Sequence, residues 1–322
     1  MSKIGVIGAG AFGTALAVVF AQNDHKTMLW GRDAGHMSQI NQTRKTRYLA
    51  GLTLPETLQA TAELTDLGGL DVVLMVVPAQ VTRAVLRTVN FSKITCPILM
   101  CAKGIELGTS RSQTDILAEE LPNHITGAIS GPGFAAEIAS GKPTALTLAM
   151  NDPALGAELQ AMLSTPHLRM YLSDDVNGVQ LGGALKNIYA IACGIVRGAG
   201  LGESAQAALL TRGFAELKNL AGKMGARPET LSGLSGFGDL VLSCTSQQSR
   251  NFSFGYQVGA TADFAQTKTV EGIATAKAVR ALAEKCHVEM PICMAVSAVL
   301  QKQLSVADAL QQLMSRPLKR ES

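Results

Sequence analysis

Three cations and one carboxylate stand where the surrounding sequence is nearly uncharged. Lys186 lies inside "VNGVQLGGALKNIYAIACGIV", Lys103 ends the apolar run "PILMCAKGIE", Arg250 sits in "SRN", and glycines frame Asp239 in "GLSGFGDL". A lysine is almost never fully buried without a partner, and no acid lies three or four residues from Lys186, so its partner must come from elsewhere. Asp239 is the candidate. Burial or a neighbouring cation lowers a lysine pKa and lets it exchange a hydroxyl proton near neutrality. Interconverting an alcohol and a ketone against a nicotinamide needs such a group. Lys186 is then the acid/base, Lys103 the nearby cation, and Asp239 the residue orienting the lysine or a substrate hydroxyl. The carboxylate also opposes the pKa depression, so its net effect stays open at this stage.

The neighbouring polar residues suit an anionic substrate. Arginine grips phosphate oxygens through its planar fork, which fits Arg250 to a substrate or cofactor phosphate, with Ser249 and Asn251 beside it. Ser130-Gly131-Pro132-Gly133 precedes the helical "FAAEIA" and reads either as a second anion-facing turn or as a connection. Glu271, in "TVEG", is placed to hydrogen-bond a cofactor.

These groups need a frame. The opening run "KIGVIGAGAFGTALAVVFA" has the composition of a signal peptide, but its spacing is that of a strand, a glycine turn and a helix. Gly8, Gly10 and Gly13 fall as GxGxxG: the first for the tight turn, the second for close approach of a pyrophosphate, the third for packing of helix on strand. The helix N-terminus binds phosphate with N–H groups and its dipole, without a basic side chain. The run is therefore read as a retained cofactor cradle.

Further short apolar runs predict strands near 27–31, 71–77, 97–102, 125–130, 144–149 and 168–172, beside the first at 3–8. Alternating with helical stretches, they imply a doubly wound, mainly parallel sheet over residues 1–175. Ligands in such sheets lie beyond the carboxyl ends of the strands. After the second strand come Arg32, suited to a 2′-phosphate, and Asp33, which keeps NAD possible. NADP is slightly favoured over NAD. From 176 to 322 helix-sized apolar stretches replace the strands. Asp174 or Asp175 caps the first, Ser305 caps the last, Gly182-Gly183 implies close packing of the first against another backbone, and the tail 318–322 is expected to fray.

Composition narrows the classes. With 47% hydrophobic and 16% charged residues and a net charge of +3, the 322-residue chain has a large core and no polybasic character, which argues against nucleic-acid binding. Apart from the opening run, no stretch is expected to approach the roughly 20 apolar residues of a membrane span. Six cysteines without a CxxC pair imply buried, reduced thiols and a cytoplasmic protein. Five histidines without metal spacing imply no metal.

Together, "GAGAFGTALA", "LWGRD", "VPAQ", "CAKGIE", "SGPGFAAEIA", "GALKNIYAIACGI", "GFGDL", "SRNFSFG" and "VEG" resemble, in the same order, the bacterial-type NAD(P)-dependent glycerol-3-phosphate dehydrogenases. The resemblance implies reversible hydride transfer between NAD(P)H and dihydroxyacetone phosphate, giving sn-glycerol 3-phosphate for phospholipid synthesis. It implies a Rossmann domain, a helical domain like the C-terminal one of 6-phosphogluconate dehydrogenase, and a homodimer. It makes Lys186 the proton-exchanging residue, puts substrate contacts at Lys103, Gly131, Asp239, Ser249, Arg250 and Asn251, and puts cofactor contacts at Phe12, Arg32, Ala135, Arg250 and Glu271, with Lys103 also bordering the cofactor. Ala11 stands where serine is common, Phe12 where tryptophan or tyrosine is, and Gly133 where serine is. Ala11 is retained as a cofactor position. Gly133 is retained as a substrate position in which backbone or water replaces the hydroxyl. The rivals are a two-domain 3-hydroxy-acid or sugar-acid dehydrogenase and a non-catalytic nucleotide sensor.

Overall fold

The computed structural model describes residues 1–322 except 89–90, 266–268, 318–319 and 321–322. Of the tail expected to fray, all but Arg320 lies outside the described residues.

One eight-stranded sheet occupies the first half, built from β1 (Lys3–Ile7), β2 (Lys26–Trp30), β3 (Leu58–Thr61), β4 (Val72–Met75), β5 (Ile98–Met100), β6 (Thr126–Ser130), β7 (Thr144–Met150) and β8 (Leu168–Ser173). The order is β3-β2-β1-β4-β5-β6-β7-β8, and every pairing is parallel except β6 with β7. Its first six strands follow the doubly wound dinucleotide order, which puts the switch point between β1 and β4. Strands β4 and β5 are buried throughout, Val72 to Met75 entirely so, which is why they read as unbroken apolar runs.

Strand β3 was not anticipated. "LQAT" has four residues, alternates buried with more exposed positions, and pairs with β2 at the sheet edge, so it lacks the unbroken apolar run of the central strands. The flanking helices are α1 (Ala11–Gln22), α2 (Ala34–Thr43), α3 (Thr82–Thr88), α4 (Gln113–Glu120), α5 (Ala135–Ala139) and α6 (Pro153–Leu163).

Helices form the rest: α7 (Val176–Gly198), α8 (Glu203–Lys223), α9 (Pro228–Ser232), α10 (Asp239–Thr245), α11 (Arg250–Thr261), α12 (Glu271–Cys286), α13 (Pro291–Leu300) and α14 (Val306–Met314). Helix α7 is the axis. Asp175 caps it by accepting the Gly178 N–H at 2.8 Å, and all residues from Gly178 to Val196 are buried under its neighbours. Among the described residues it is the one helix long and apolar enough to cross a membrane, contrary to the expectation that no later stretch approaches that length. Its apolar stretch, Gly178 to Val196, lies inside the protein, so the run reflects a central core helix. A Cβ on Gly182 would stand 2.8 Å from the Ser235 carbonyl oxygen and 2.9 Å from the Gly236 Cα, the close backbone contact anticipated there. Gly183 instead faces the Ser130 hydroxyl. Ser305 caps α14 through the Asp308 N–H at 3.1 Å.

Candidate active site

The glycine loop has the predicted division of labour. Gly8 has φ +125° and lies against the Val76 backbone, where a Cβ would sit 2.8 Å away. A Cβ on Gly13 would fall 2.0 Å from the Gly8 carbonyl oxygen, so this glycine lets α1 descend onto the turn. Around Gly10 a Cβ would meet nothing within 4 Å, and α1 starts there with no side-chain cap and no acid in its first turn. The cradle thus leaves room and N–H groups for a pyrophosphate and fits a dinucleotide. Ala11 and Phe12, both partly buried, begin α1, and Ala135 begins α5; all three pack against the same core cluster.

At the end of β2, Arg32 is exposed. Asp33 is engaged: it caps α2 by accepting the His36 N–H at 3.0 Å and pairs with Arg47 at 2.9 Å. Those two bonds hold its carboxyl below the usual range, the His36 N–H contributing most.

On the far side of the cradle the chemistry gathers around one carboxylate. Asp239, the first residue of α10, is 1% exposed and takes a lysine on each oxygen. Lys186 of α7 donates to Oδ1, and Lys103, just beyond β5, donates to Oδ2 at 2.6 Å. Lys103 also donates to the Gly131 carbonyl at 2.8 Å and stands 5.9 Å from the centre of the Phe12 ring, which links the cluster to the cradle. Gly131, with φ +145°, therefore presents a carbonyl to this cation rather than an N–H to an anion. Gly133 lies in the same turn, where a Cβ would press on Ile138 Cδ1 at 2.9 Å.

Two lysines against one carboxylate leave an excess positive charge in a nearly dry site. Burial brings the Lys186 ammonium down from 10.5 to about 8, Asp239 resists the fall, and Lys103 reinforces it. Asp239 thus favours the charged lysine, and desolvation outweighs it. Lys186 also donates to the Ser243 hydroxyl at 2.6 Å, one turn along α10 from Asp239. Sequence reasoning missed Ser243; its i+4 spacing from Asp239 was the available signal.

The remaining predicted residues meet this cluster from a second side. Ser249 is buried and caps α11, accepting the Phe252 N–H at 3.3 Å. Arg250 is exposed at the first position of that helix. Glu271 opens α12; burial raises its carboxyl, while Arg250, the Ala79 N–H, Lys103 and Lys186 oppose the rise. Asn251 spends both ends of its amide on protein, donating to Asn187 Oδ1 and accepting from the Gly272 N–H, each at 2.9 Å.

A glycine cradle that fits a dinucleotide, beside a buried cluster of two lysines on one carboxylate, is the arrangement of an NAD(P)-dependent dehydrogenase. Residues 3–156 match the N-terminal family of NAD-dependent glycerol-3-phosphate dehydrogenase, and residues 175–311 match its C-terminal family. The chain belongs to the NAD-dependent glycerol-3-phosphate dehydrogenase family. It is 47% identical over 320 residues to a glycerol-3-phosphate dehydrogenase (NAD(P)+) of Ruegeria sp. (strain TM1040), covering 99% of this chain and 100% of that protein. A protein of the same name from Methylobacterium radiotolerans is 48% identical over 327 residues, covering 100% of this chain and 98% of the relative. The crystal structure of glycerol-3-phosphate dehydrogenase from Coxiella burnetii superposes with a TM-score of 0.91 at 38% identity, covering 98% of this chain and 99% of that one. A D-mandelate dehydrogenase structure, at 17% identity and a TM-score of 0.61, shares the fold alone.

Proposed function

We propose that this chain reversibly interconverts dihydroxyacetone phosphate and sn-glycerol 3-phosphate with NAD(P)H, supplying glycerophospholipid synthesis, and that it works as a cytoplasmic homodimer with units 1–175 and 176–322. A nicotinamide held by the glycine cradle would supply or accept the hydride. Lys186 gives its proton to the ketone oxygen in reduction and takes it from the alcohol in oxidation. Asp239 and Ser243 hold the Lys186 Nζ, and Lys103 keeps positive charge near the developing alkoxide. Arg250, exposed beside the cluster, binds phosphate with Ser249 and Asn251, while the Gly131–Gly133 turn borders the substrate and holds Lys103 through the Gly131 carbonyl. Gly8, Gly10, Ala11, Phe12, Gly13 and Ala135 bind the cofactor's pyrophosphate side, Arg32 its adenosine end, and Glu271 its nicotinamide side.

The observation that carries this reading is the buried Lys186 ammonium, donating to Asp239 and Ser243 with Lys103 on the other carboxylate oxygen. The test follows NADPH, then NADH, with dihydroxyacetone phosphate, glyceraldehyde 3-phosphate and unphosphorylated dihydroxyacetone. Consumption with the first alone is expected. Preference for the unphosphorylated ketone would overturn the substrate assignment, and full turnover by Lys186→Ala would overturn the acid/base assignment. Sedimentation at micromolar concentration checks the dimer.

A further inference from the structure

The carboxyl edge of β2 carries more than the exposed Arg32. Asp33 follows it, and both of its carboxylate oxygens are committed: Oδ1 accepts the His36 N–H at 3.0 Å and caps α2, while Oδ2 accepts from Arg47 Nη2 at 2.9 Å. A carboxylate at this point of a doubly wound sheet is the group that takes a hydrogen bond from an unphosphorylated adenosine ribose. Here the oxygen left over from capping is covered by a guanidinium.

The fold builds the position of Arg47 from several sides. Thr46, just before it, is buried, and its hydroxyl meets His36 Nε2 on α2 at 3.2 Å and accepts the Tyr48 N–H at 3.3 Å. The Tyr48 ring lies edge-on to the His36 ring with 5.5 Å between centres, and the Arg47 guanidinium stands 5.2 Å from the centre of the Tyr48 ring. Arg44 donates to the Leu58 carbonyl of β3 at 2.7 Å, and its own carbonyl accepts the Leu54 N–H at 2.8 Å. The segment 44–54 is thus tied to α2 and β3, and it delivers a half-exposed guanidinium to the end of β2.

An exposed ion pair of this kind adds little to stability. Its consequence lies in the charge it presents. Without Arg47 the edge of β2 would hold one cation, Arg32, beside an uncovered anion; with Arg47 it holds two guanidinium groups and a carboxylate already paired. A phosphate monoester carries about −1.5 to −2 charges at neutral pH, so the second arrangement receives it and the first opposes it. The planar fork of arginine also lets one guanidinium bond phosphate oxygens while still facing a carboxylate.

We propose that Arg47 is a specificity-determining residue, which covers Asp33 against the ribose hydroxyl of NADH and joins Arg32 in receiving the 2′-phosphate of NADPH. One guanidinium performs both tasks, so its removal moves the two affinities in opposite directions. The proposal rests on the reading of the chain as an NAD(P)-dependent dehydrogenase with the adenosine end of the cofactor at β2.

Dissociation constants of NADPH and NADH are measured by fluorescence titration without substrate, in wild type, Arg47→Ala and the Arg47→Ala/Asp33→Asn double variant, with turnover of dihydroxyacetone phosphate followed separately. Arg47→Ala should weaken NADPH by about 10-fold or more, the loss of a charge-assisted hydrogen bond, and leave NADH within about 2-fold of wild type or tighter. A residue that merely supported its loop would weaken both nucleotides alike. Asparagine at position 33 keeps the acceptor that caps α2 and removes the uncovered charge, so the double variant should regain about 3-fold or more in NADPH affinity over Arg47→Ala. The NADPH loss in Arg47→Ala should also shrink with added salt.

Equal losses for the two nucleotides, an unchanged NADPH affinity in Arg47→Ala, or no recovery in the double variant would overturn the proposal, while wild-type turnover of the ketone would leave the dehydrogenase reading intact. A wild type that binds the nucleotides but reduces no dihydroxyacetone phosphate would strike that reading instead, and the binding constants would still decide the role of Arg47. A wild type that binds neither nucleotide would overturn both.

Discussion

Replacing Asp239 by asparagine keeps the side-chain shape and removes the one negative charge between Lys186 and Lys103. Burial already brings Lys186 down to about 8 with that carboxylate in place. Two unit charges about 3.5 Å apart attract by about 5 kcal/mol at an effective dielectric of 20, equivalent to between 3 and 4 pKa units. The asparagine oxygen and any entering water recover part of this, so a fall of about 2 units, to about 6, is expected. Reduction of the ketone requires the protonated lysine. The ratio of wild-type to variant kcat/KM should therefore grow with pH, from about 2-fold at pH 6 to about 10-fold at pH 7 and about 50-fold at pH 8, multiplied by a pH-independent loss of orientation. Initial rates of NADPH oxidation from pH 5.5 to 9 measure this directly. A constant ratio across that range, or an inflection remaining near 8 in the variant, would refute the account in which Asp239 holds the proton on Lys186.

Other consequences are as concrete. Arg32→Ala should weaken NADPH more than NADH by about 1–3 kcal/mol, since Arg32 is exposed beyond β2 while Asp33 is engaged with His36 and Arg47; equal weakening in binding titrations would place the 2′-phosphate elsewhere. Glu216 of α8 is buried, accepts the Ile292 and Cys293 N–H groups at 2.7 and 3.3 Å, and is raised by burial from 4.5 to about 7. The folded protein keeps a proton there that the unfolded chain releases, so stability falls as pH rises from 4.5 through 7 and levels off above. Relative to Glu216→Gln, the wild type should lose on the order of 3 kcal/mol across that window in denaturant melts, and parallel pH profiles of the two proteins would contradict it.

How much of this could be read from the sequence follows from how local each signal is. The cradle was legible because turn, cap and packing all depend on glycines within six consecutive residues, Gly8 to Gly13. Lys186 was legible because a lone charge in an apolar helix demands a partner, and Asp239 because glycines isolate it in the same way. Strand β3 was not, since a four-residue edge strand owes its place to β2 rather than to its own pattern. The partners of the Asn251 amide were not legible for a related reason: its sequence neighbours are Ser249 and Arg250, whereas the groups it bonds, Asn187 and Gly272, come from other helices. The direction of the Gly131 peptide, carbonyl toward Lys103, goes with a φ of +145° that no spacing encodes. Ser243 is a hydroxyl whose meaning appears only once α10 is laid against α7.

The central position of α7 also constrains how the protein is made. This helix is complete at Gly198, yet α11 and α12, which pack over it, end at Thr261 and Cys286. At synthesis rates of ~5–20 residues per second, the most membrane-like segment of the chain waits several seconds for its cover. During that interval it is a ready substrate for holdase chaperones and a nucleus for aggregation. Nascent chains arrested between Gly198 and Thr261 should be markedly less soluble than the finished protein, and synonymous changes that slow translation there should lower yield without altering the folded enzyme.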